Sequence, residues 1–214
     1  MPHEKYLKKV GHIPAGKRRD YAATIVALDE GIGRVLAALK ERGLETNTLV
    51  VCVSDNGGDV PHGGNNKPFR DGIAAIYEGG IRVPCVMRWT EKIQPAQVSS
   101  QPGSTLDLFP TICHLAGIDT SPLRLDGIDL APALLDAKQI PRDLFWEMSN
   151  GAKAFRRGPW KFVRSAEGGE MLFNLAADPG EKENAAAQKQ ELLDELKTAH
   201  AAIASTFQMS RRGR

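Results

Sequence analysis

The feature that most limits what this chain can fold into is the run Thr48-Leu49-Val50-Val51-Cys52-Val53, followed without transition by Ser54-Asp55-Asn56-Gly57-Gly58. A β-branched, apolar run bounded by polar residues reads as a strand buried on both faces. Ahead of it, from about Arg18 to Arg42, Ala22, Ile25, Val26, Ile32, Val35, Leu36 and Leu39 recur at three- and four-residue spacing and stop at Gly43. That spacing predicts one long amphipathic helix, with Asp29, Glu30, Arg34, Lys40 and Glu41 on its solvated side. A helix feeding such a strand points to a layered α/β sheet.

Residues 54–80 carry so much Gly, Asn, Asp and Pro that they predict a long irregular loop, and a loop of that length in a compact domain is usually functional. Ile81 to Trp89 returns to an extended pattern, with Pro84 arguing for an edge or a local irregularity. Ser104-Thr105-Leu106-Asp107 resembles a capping box and opens a helix carrying Leu108, Ile112, Leu115 and Ala116, which Gly117 ends. Residues 118–142, rich in Asp, Pro and Gly, read as a surface connection, so the boundary is set between a first domain, 1–141, and a second, 142–214. Beyond it, Asp143–Glu147, Lys153–Arg156, Trp160–Arg164 and Met171–Asn174 are short strands separated by turn residues, which predicts an antiparallel meander. A last helix, about Ala187 to Phe207, can cover that sheet with Leu192, Leu193, Leu196 and Ile203.

With 28 Lys+Arg against 26 Asp+Glu the net charge is +2, so no basic field points to nucleic acid or an anionic membrane; only Arg211-Arg212-Gly213-Arg214 is locally basic. Aromatic content of 6% makes Trp89, Trp146 and Trp160 packing residues rather than a stacking platform. Cys52, Cys85 and Cys113 each sit in an apolar run and match neither a disulfide framework nor a zinc pattern, so they are expected in the core. No signal peptide opens the sequence and no run of apolar residues is long enough to span a bilayer, so a cytoplasmic location is expected if the chain is complete.

Asp55 and Asn56 lie beyond a strand end, where open α/β sheets build their sites. A carboxylate beside an amide carbonyl offers two hard oxygens, suited to Ca²⁺ or Mg²⁺ rather than to zinc. The same residues are also ordinary turn formers, and both readings stand on the spacing alone. Two ligands are too few for either ion, and Asp59, His62, Asn65 and Asp71 lack EF-hand spacing, so any further ligands are expected from outside this loop.

These residues also carry a family resemblance. Val53-Ser54-Asp55-Asn56-Gly57-Gly58, Asn66-Lys67-Pro68-Phe69-Arg70 and Tyr77-Glu78-Gly79-Gly80-Ile81-Arg82-Val83-Pro84 resemble, in order and spacing, the C-terminal half of type I, arylsulfatase-like sulfatases. The likeness continues through Ser104–Thr111, Leu115–Gly117, Asp126-Gly127, Gly158–Phe162 and Leu172–Glu181, and so covers nearly the whole chain. It implies an α/β fold of the alkaline phosphatase type: part of a mixed sheet with flanking helices, plus a small C-terminal antiparallel sheet with one helix. It also implies hydrolysis of a sulfate ester assisted by a divalent cation, usually Ca²⁺, with Asp55 and Asn56 among the cation's ligands. Relatives of this kind are often periplasmic or secreted.

The nucleophile implied by the resemblance is a formylglycine made from Cys or Ser in a C-x-P-S-R-type motif, and no Cys or Ser of this chain has that context. The chain is therefore expected to be inactive alone, and its partial sheet to leave an exposed edge for association. Where the family usually has Arg-Gly-Gly-Lys, its lysine contacting the sulfate, the run here is Arg70-Asp71-Gly72-Ile73. Ile73 cannot neutralise an anion, which leaves Lys67 and Arg70 as the nearby cations that could hold substrate. Two alternatives fit the same residues: a non-catalytic interaction module on the scaffold, and a phosphodiesterase or phosphonate hydrolase of the same superfamily.

Overall fold

The computed structural model describes the backbone of residues 2–212 and the side chains of residues 2–206; Gly213 and Arg214 of the basic tail lie outside the described residues. The chain divides into two compact units, Met1–Pro95 and Ala96–Arg214. The boundary expected at 141/142 falls inside the second unit, where its sheet begins.

In the first unit, α1 (Glu4–Lys9) precedes α2 (Lys17–Glu41), the long helix that the apolar spacing predicts. Gly43, with φ of 67°, ends it, and the Leu44 amide reaches back to the Leu39 carbonyl. Glu30 ties the two helices, because Lys5 and Lys9 both reach its carboxylate, at 2.8 and 2.9 Å, and hold its pKa down to about 2. The pair lies on the surface and gives register rather than much stability.

Strand β1 (Val50–Val53) pairs antiparallel with β2 (Cys85–Arg88), with Val50 opposite Arg88 and Val53 opposite Cys85. β1 is not buried on both faces: Val50, Val51 and Val53 are half-buried and Cys52 is exposed. With one neighbouring strand and nothing layered over that face among the described residues, its apolar side chains stay accessible. The same applies to α2, where Ala23 is buried while Leu28 and Val35 are 59% and 58% exposed. The extended pattern at Ile81–Trp89 is also shorter than expected, since Glu78–Ile81 forms a single helical turn, α3, and pairing starts only after Pro84.

The second unit opens with the expected capping box. Ser104 accepts from the Leu106 amide and Asp107 from the Ser104 amide, which starts a 3₁₀ turn continuing into α4 (Leu108–Leu115). Asp107 is fully buried and also binds Arg142, 2.8 Å away, and the Ile128 amide, so one carboxylate fastens three segments. Residues 118–142 are not all surface: α5 (Ala131–Leu135) forms there and buries Ala131 and Ala133, whose small side chains allow close approach.

The predicted meander is present as β3 (Asp143–Glu147), β4 (Lys153–Arg157), β5 (Trp160–Arg164) and β6 (Glu170–Asn174), paired in sequence order. Helix α6 (Gln190–Arg212) covers it, and Phe155, Phe162, Leu172, Leu193 and Leu196 form the core between them. Burying each such side chain contributes about 1.5–3 kcal/mol before entropy. Cys113 is the one cysteine that meets the core expectation, since Cys85 is exposed along with Cys52. Among the described residues no helix is long and apolar enough to cross a membrane.

Candidate functional site

Asp55 and Asn56 sit in the turn that leaves β1 toward the long loop, and that turn is held from both sides. The Ser54 amide donates to the Pro84 carbonyl at 3.2 Å, the Ser54 hydroxyl to the Asn56 carbonyl at 2.8 Å, and the Gly57 amide to the Gly80 carbonyl at 2.9 Å. The Asn56 amide donates to Asp55 Oδ1 at 3.0 Å, so one carboxylate oxygen is engaged locally. This approach is possible only for glycine: a Cβ on Gly57 would stand 1.7 Å from the Gly79 carbonyl oxygen. Gly79 meets the carbonyls of Arg70 and Asp71 in the same way, each 2.3 Å from where its Cβ would be.

Asn66 organises the rest of the loop. Its Oδ1 accepts from the Gly58 amide at 2.8 Å, and its Nδ2 donates to the Gly58 and Asp71 carbonyls, both at 2.9 Å. One amide side chain therefore clasps the strand of loop after Asn56 to the strand that carries Asp71. Sequence reading passed over this role, because an Asn in a polar loop carries no signal that its partners are eight and five residues away. At the other side, Lys17 Nζ and Arg18 Nη1 on the first turn of α2 donate to the carbonyls of Pro61 and Gly63, at 2.9 and 2.8 Å.

The other candidates make contacts of their own within the loop. Asp59 pairs with exposed His62 at 2.8 Å, and Asn65 accepts from the Lys67 amide. Arg70 lies over the Tyr77 ring, 3.7 Å from its centroid, with its Nε 3.8 Å from Asp71, while the Lys67 side chain is exposed. Glu78 is buried and reaches Arg82 at 3.7 Å, and Arg82 lies over Phe69, which fits a pair that orders the turn. Ile73 is exposed.

The donor chemistry of Asp55 and Asn56 fits a hard divalent cation, because both offer oxygen from a rigid turn. Two oxygens are too few for either ion, and among the described residues no three His, Cys, Asp or Glu side chains converge as a metal group.

Comparison with known proteins places this geometry in a family. The family profile described as Sulfatase matches residues 3–118. Mouse steryl-sulfatase is 33% identical over 84% of this chain, and pig N-acetylgalactosamine-6-sulfatase 30% identical over 85%. The chain spans 36% and 42% of the length of those two relatives. The crystal structure of Ps i-CgsB in complex with k-i-k-neocarrahexaose superposes with a TM-score of 0.85 at 30% identity, covering 92% of this chain and 45% of that one. The described α/β architecture is therefore part of the alkaline-phosphatase-like fold that such proteins share, and the chain belongs to the sulfatase family.

Proposed function

We propose that this chain is the C-terminal portion of a sulfuric ester hydrolase, and that it supplies Asp55 and Asn56 to a divalent-cation site while lacking the formylglycine nucleophile. The observation that carries the reading is the turn after β1, where the Gly57–Gly80 hydrogen bond fixes the backbone that carries Asp55 and Asn56, in a chain 33% identical to a steryl-sulfatase. When bound, Ca²⁺ or Mg²⁺ supplies charge that stabilises the anionic sulfate group. Asp55 and Asn56 would supply two of the cation's oxygen ligands, and the hydrogen bonds of the turn fix the backbone that carries them. The exposed apolar faces of α2 and β2 are where the remainder of the fold, with the nucleophile, packs in the working enzyme. Alone, the chain does not turn over.

The test is to combine the chain with a polypeptide carrying the formylglycine-bearing remainder of the fold and to follow sulfate release from an aryl sulfate. Wild-type chain restores hydrolysis, and Asp55→Ala and Asn56→Ala each lower kcat/KM by about a hundredfold or more, the scale of losing an electrostatic catalytic contact. Undiminished turnover with both variants overturns the reading. Ile73, at the position where the family resemblance implies a lysine, supports a second reading, a non-catalytic interaction module. Loss of all hydrolysis with retained capture of a defined partner would favour it.

A further inference from the structure

Far from the Asp55–Asn56 turn in sequence, the second unit opens on an unsupported stretch of chain. Residues 94–100 are all exposed, and from Gln97 to Ser104 no regular structure forms. Val98 is 98% exposed, against 64% for Val86, the next most exposed large hydrophobic among the described residues. Among the described residues the backbone of 94–100 makes no hydrogen bond, and the one side-chain contact is Ser99 Oγ accepting from the Gln101 amide at 3.2 Å. From Ile93 to Leu106 there is no Lys, Arg, Asp or Glu. An aliphatic side chain is thus held out in water on an uncharged segment whose own polar groups are open to a partner.

The flanks, by contrast, are fixed. Upstream, Trp89 is buried, its indole N–H donates to the Thr46 carbonyl at 2.8 Å, and the Lys92 and Ile93 amides donate to the Trp89 carbonyl at 3.0 and 2.9 Å. Downstream, the Gln101 side chain donates to the Ile140 carbonyl at 2.9 Å and accepts from the Ile140 amide at 2.8 Å. The first unit ends at Pro95 and the second begins at Ala96, so a break after Val98 cuts neither the β1–β2 pair nor the β3–β6 sheet. An endopeptidase binds its substrate extended, through main-chain hydrogen bonds and side-chain pockets, and a segment already paired within a fold must first open. Residues 97–100 have little to open, and exposed segments of small polar residues are preferred sites of nicking. The side chains choose among proteases: a trypsin-type pocket finds no cation here, whereas a small apolar pocket, as in elastase, accepts valine.

We infer that this segment is a proteolytic processing site, at which a serine endopeptidase with a small apolar specificity pocket hydrolyses the Val98–Ser99 bond. As the C–N bond breaks, water gives its hydroxyl to the Val98 carbonyl carbon and a proton to the Ser99 nitrogen. The new carboxyl then passes its proton to the new amine, which leaves a carboxylate ending one chain and an ammonium opening the other. The products, 1–98 and 99–214, each keep the hydrogen-bonded unit they contain, and Asp55 and Asn56 stay on the first. Neither a bound cation nor turnover of a sulfate ester enters this step, so it stands or falls apart from the sulfatase reading.

The test is limited digestion of the full chain with pancreatic elastase, followed by intact mass spectrometry over time. The first products are 1–98 and 99–214, and both persist while the intact chain disappears. Val98→Asp slows this cut by about tenfold or more, because a carboxylate enters an apolar pocket, and leaves the circular dichroism unchanged, because the side chain already lies in water. Phe162→Leu, which weakens the core between β5 and α6, leaves the rate of the first cut unaltered, since no unfolding precedes it. A first cut outside residues 96–100 overturns the inference, as does cleavage of Val98→Asp at the wild-type rate. Acceleration by Phe162→Leu in step with its loss of stability also overturns it, because the cut would then belong to the unfolded chain. So does degradation of either product as fast as it forms, which would show that the cut destroys a unit.

Discussion

The two sheets of this protein are built on opposite terms. The four-stranded sheet β3–β6 and α6 close over Phe155, Phe162, Leu172, Leu193 and Leu196, with a buried ion pair, Lys161 and Glu181, 2.8 Å apart and both fully inaccessible. The two-stranded sheet β1–β2 has no such closure: Val86 is 64% exposed, Cys52 and Cys85 face solvent, and the adjoining loop is held by glycine contacts and the Asn66 clasp. One region is stabilised by side-chain burial and the other is organised by backbone hydrogen bonds. The difference teaches that the part carrying the candidate site is specified geometrically but contributes little apolar burial of its own.

The contrast can be broken first at its strongest point. Lys161→Met leaves the Glu181 carboxylate buried without its cation and should lower stability by about 3–5 kcal/mol, and the double variant with Glu181→Gln should recover more than half of that loss in denaturant titrations. Recovery of nothing would mean that packing around Lys161, rather than the ion pair, holds the sheet. Phe162→Ala should cost a similar amount, about 3–5 kcal/mol, through the cavity it leaves between β5 and α6. A smaller penalty, about 1–3 kcal/mol, is expected from Gly57→Ala, whose Cβ collides with the Gly79 backbone. Its sharper readout is the turn, where the cation site proposed for the completed enzyme should lose affinity more than tenfold while the β3–β6 sheet stays protected in hydrogen exchange.

A pH measurement separates the regions further. His200 on α6 is 2% exposed and stacks on Phe145 at 4.6 Å. Burial first, then the Lys153 charge, lower its pKa below the ordinary 6.5, against weaker opposing effects of Glu147 and a hydrogen bond with the Trp146 backbone. Its neutral form belongs to the fold, so the unfolded chain binds more protons, and the stability it contributes is complete above pH 6.5 and declines as pH falls below that value. His200→Phe, which keeps the stack, should flatten that slope in thermal scans, and a slope unchanged by the substitution would assign the acid sensitivity elsewhere. The smallest effect is expected at Val86→Ser, within about 0.5 kcal/mol for the chain itself, because the side chain is already in water. Any larger change should appear only on association with the rest of the fold.

The meander was legible because Gly and polar residues punctuate it at Gly151, Gly158 and Gly168, all with positive φ, and because Phe155, Phe162 and Leu172 fall on one face. The capping box at Ser104 was legible for the same reason: its partners are three residues apart. The loop was another matter. Asp55 and Asn56 stood out by residue type, yet the contacts that hold them come from Gly79, Gly80 and Pro84, more than twenty residues on, and no local pattern announces such a pairing. Of the cations proposed for substrate, Arg70 lies over the Tyr77 ring, a contact that residue type alone could not reveal.

By itself, then, the sequence determined what local chemistry determines: a helix from its apolar spacing, strand and turn positions from β-branched runs and glycines, a hard-oxygen pair at a strand end, and the family from the order of its motifs. Only the tertiary structure decided which of those apolar faces are covered, that Cys52 and Cys85 lie in solvent, and that one carboxylate, Asp107, fastens three segments. The physical reason is that propensity and capping act over a few residues, whereas burial and close backbone approach depend on partners far along the chain, whose positions no short stretch of sequence encodes.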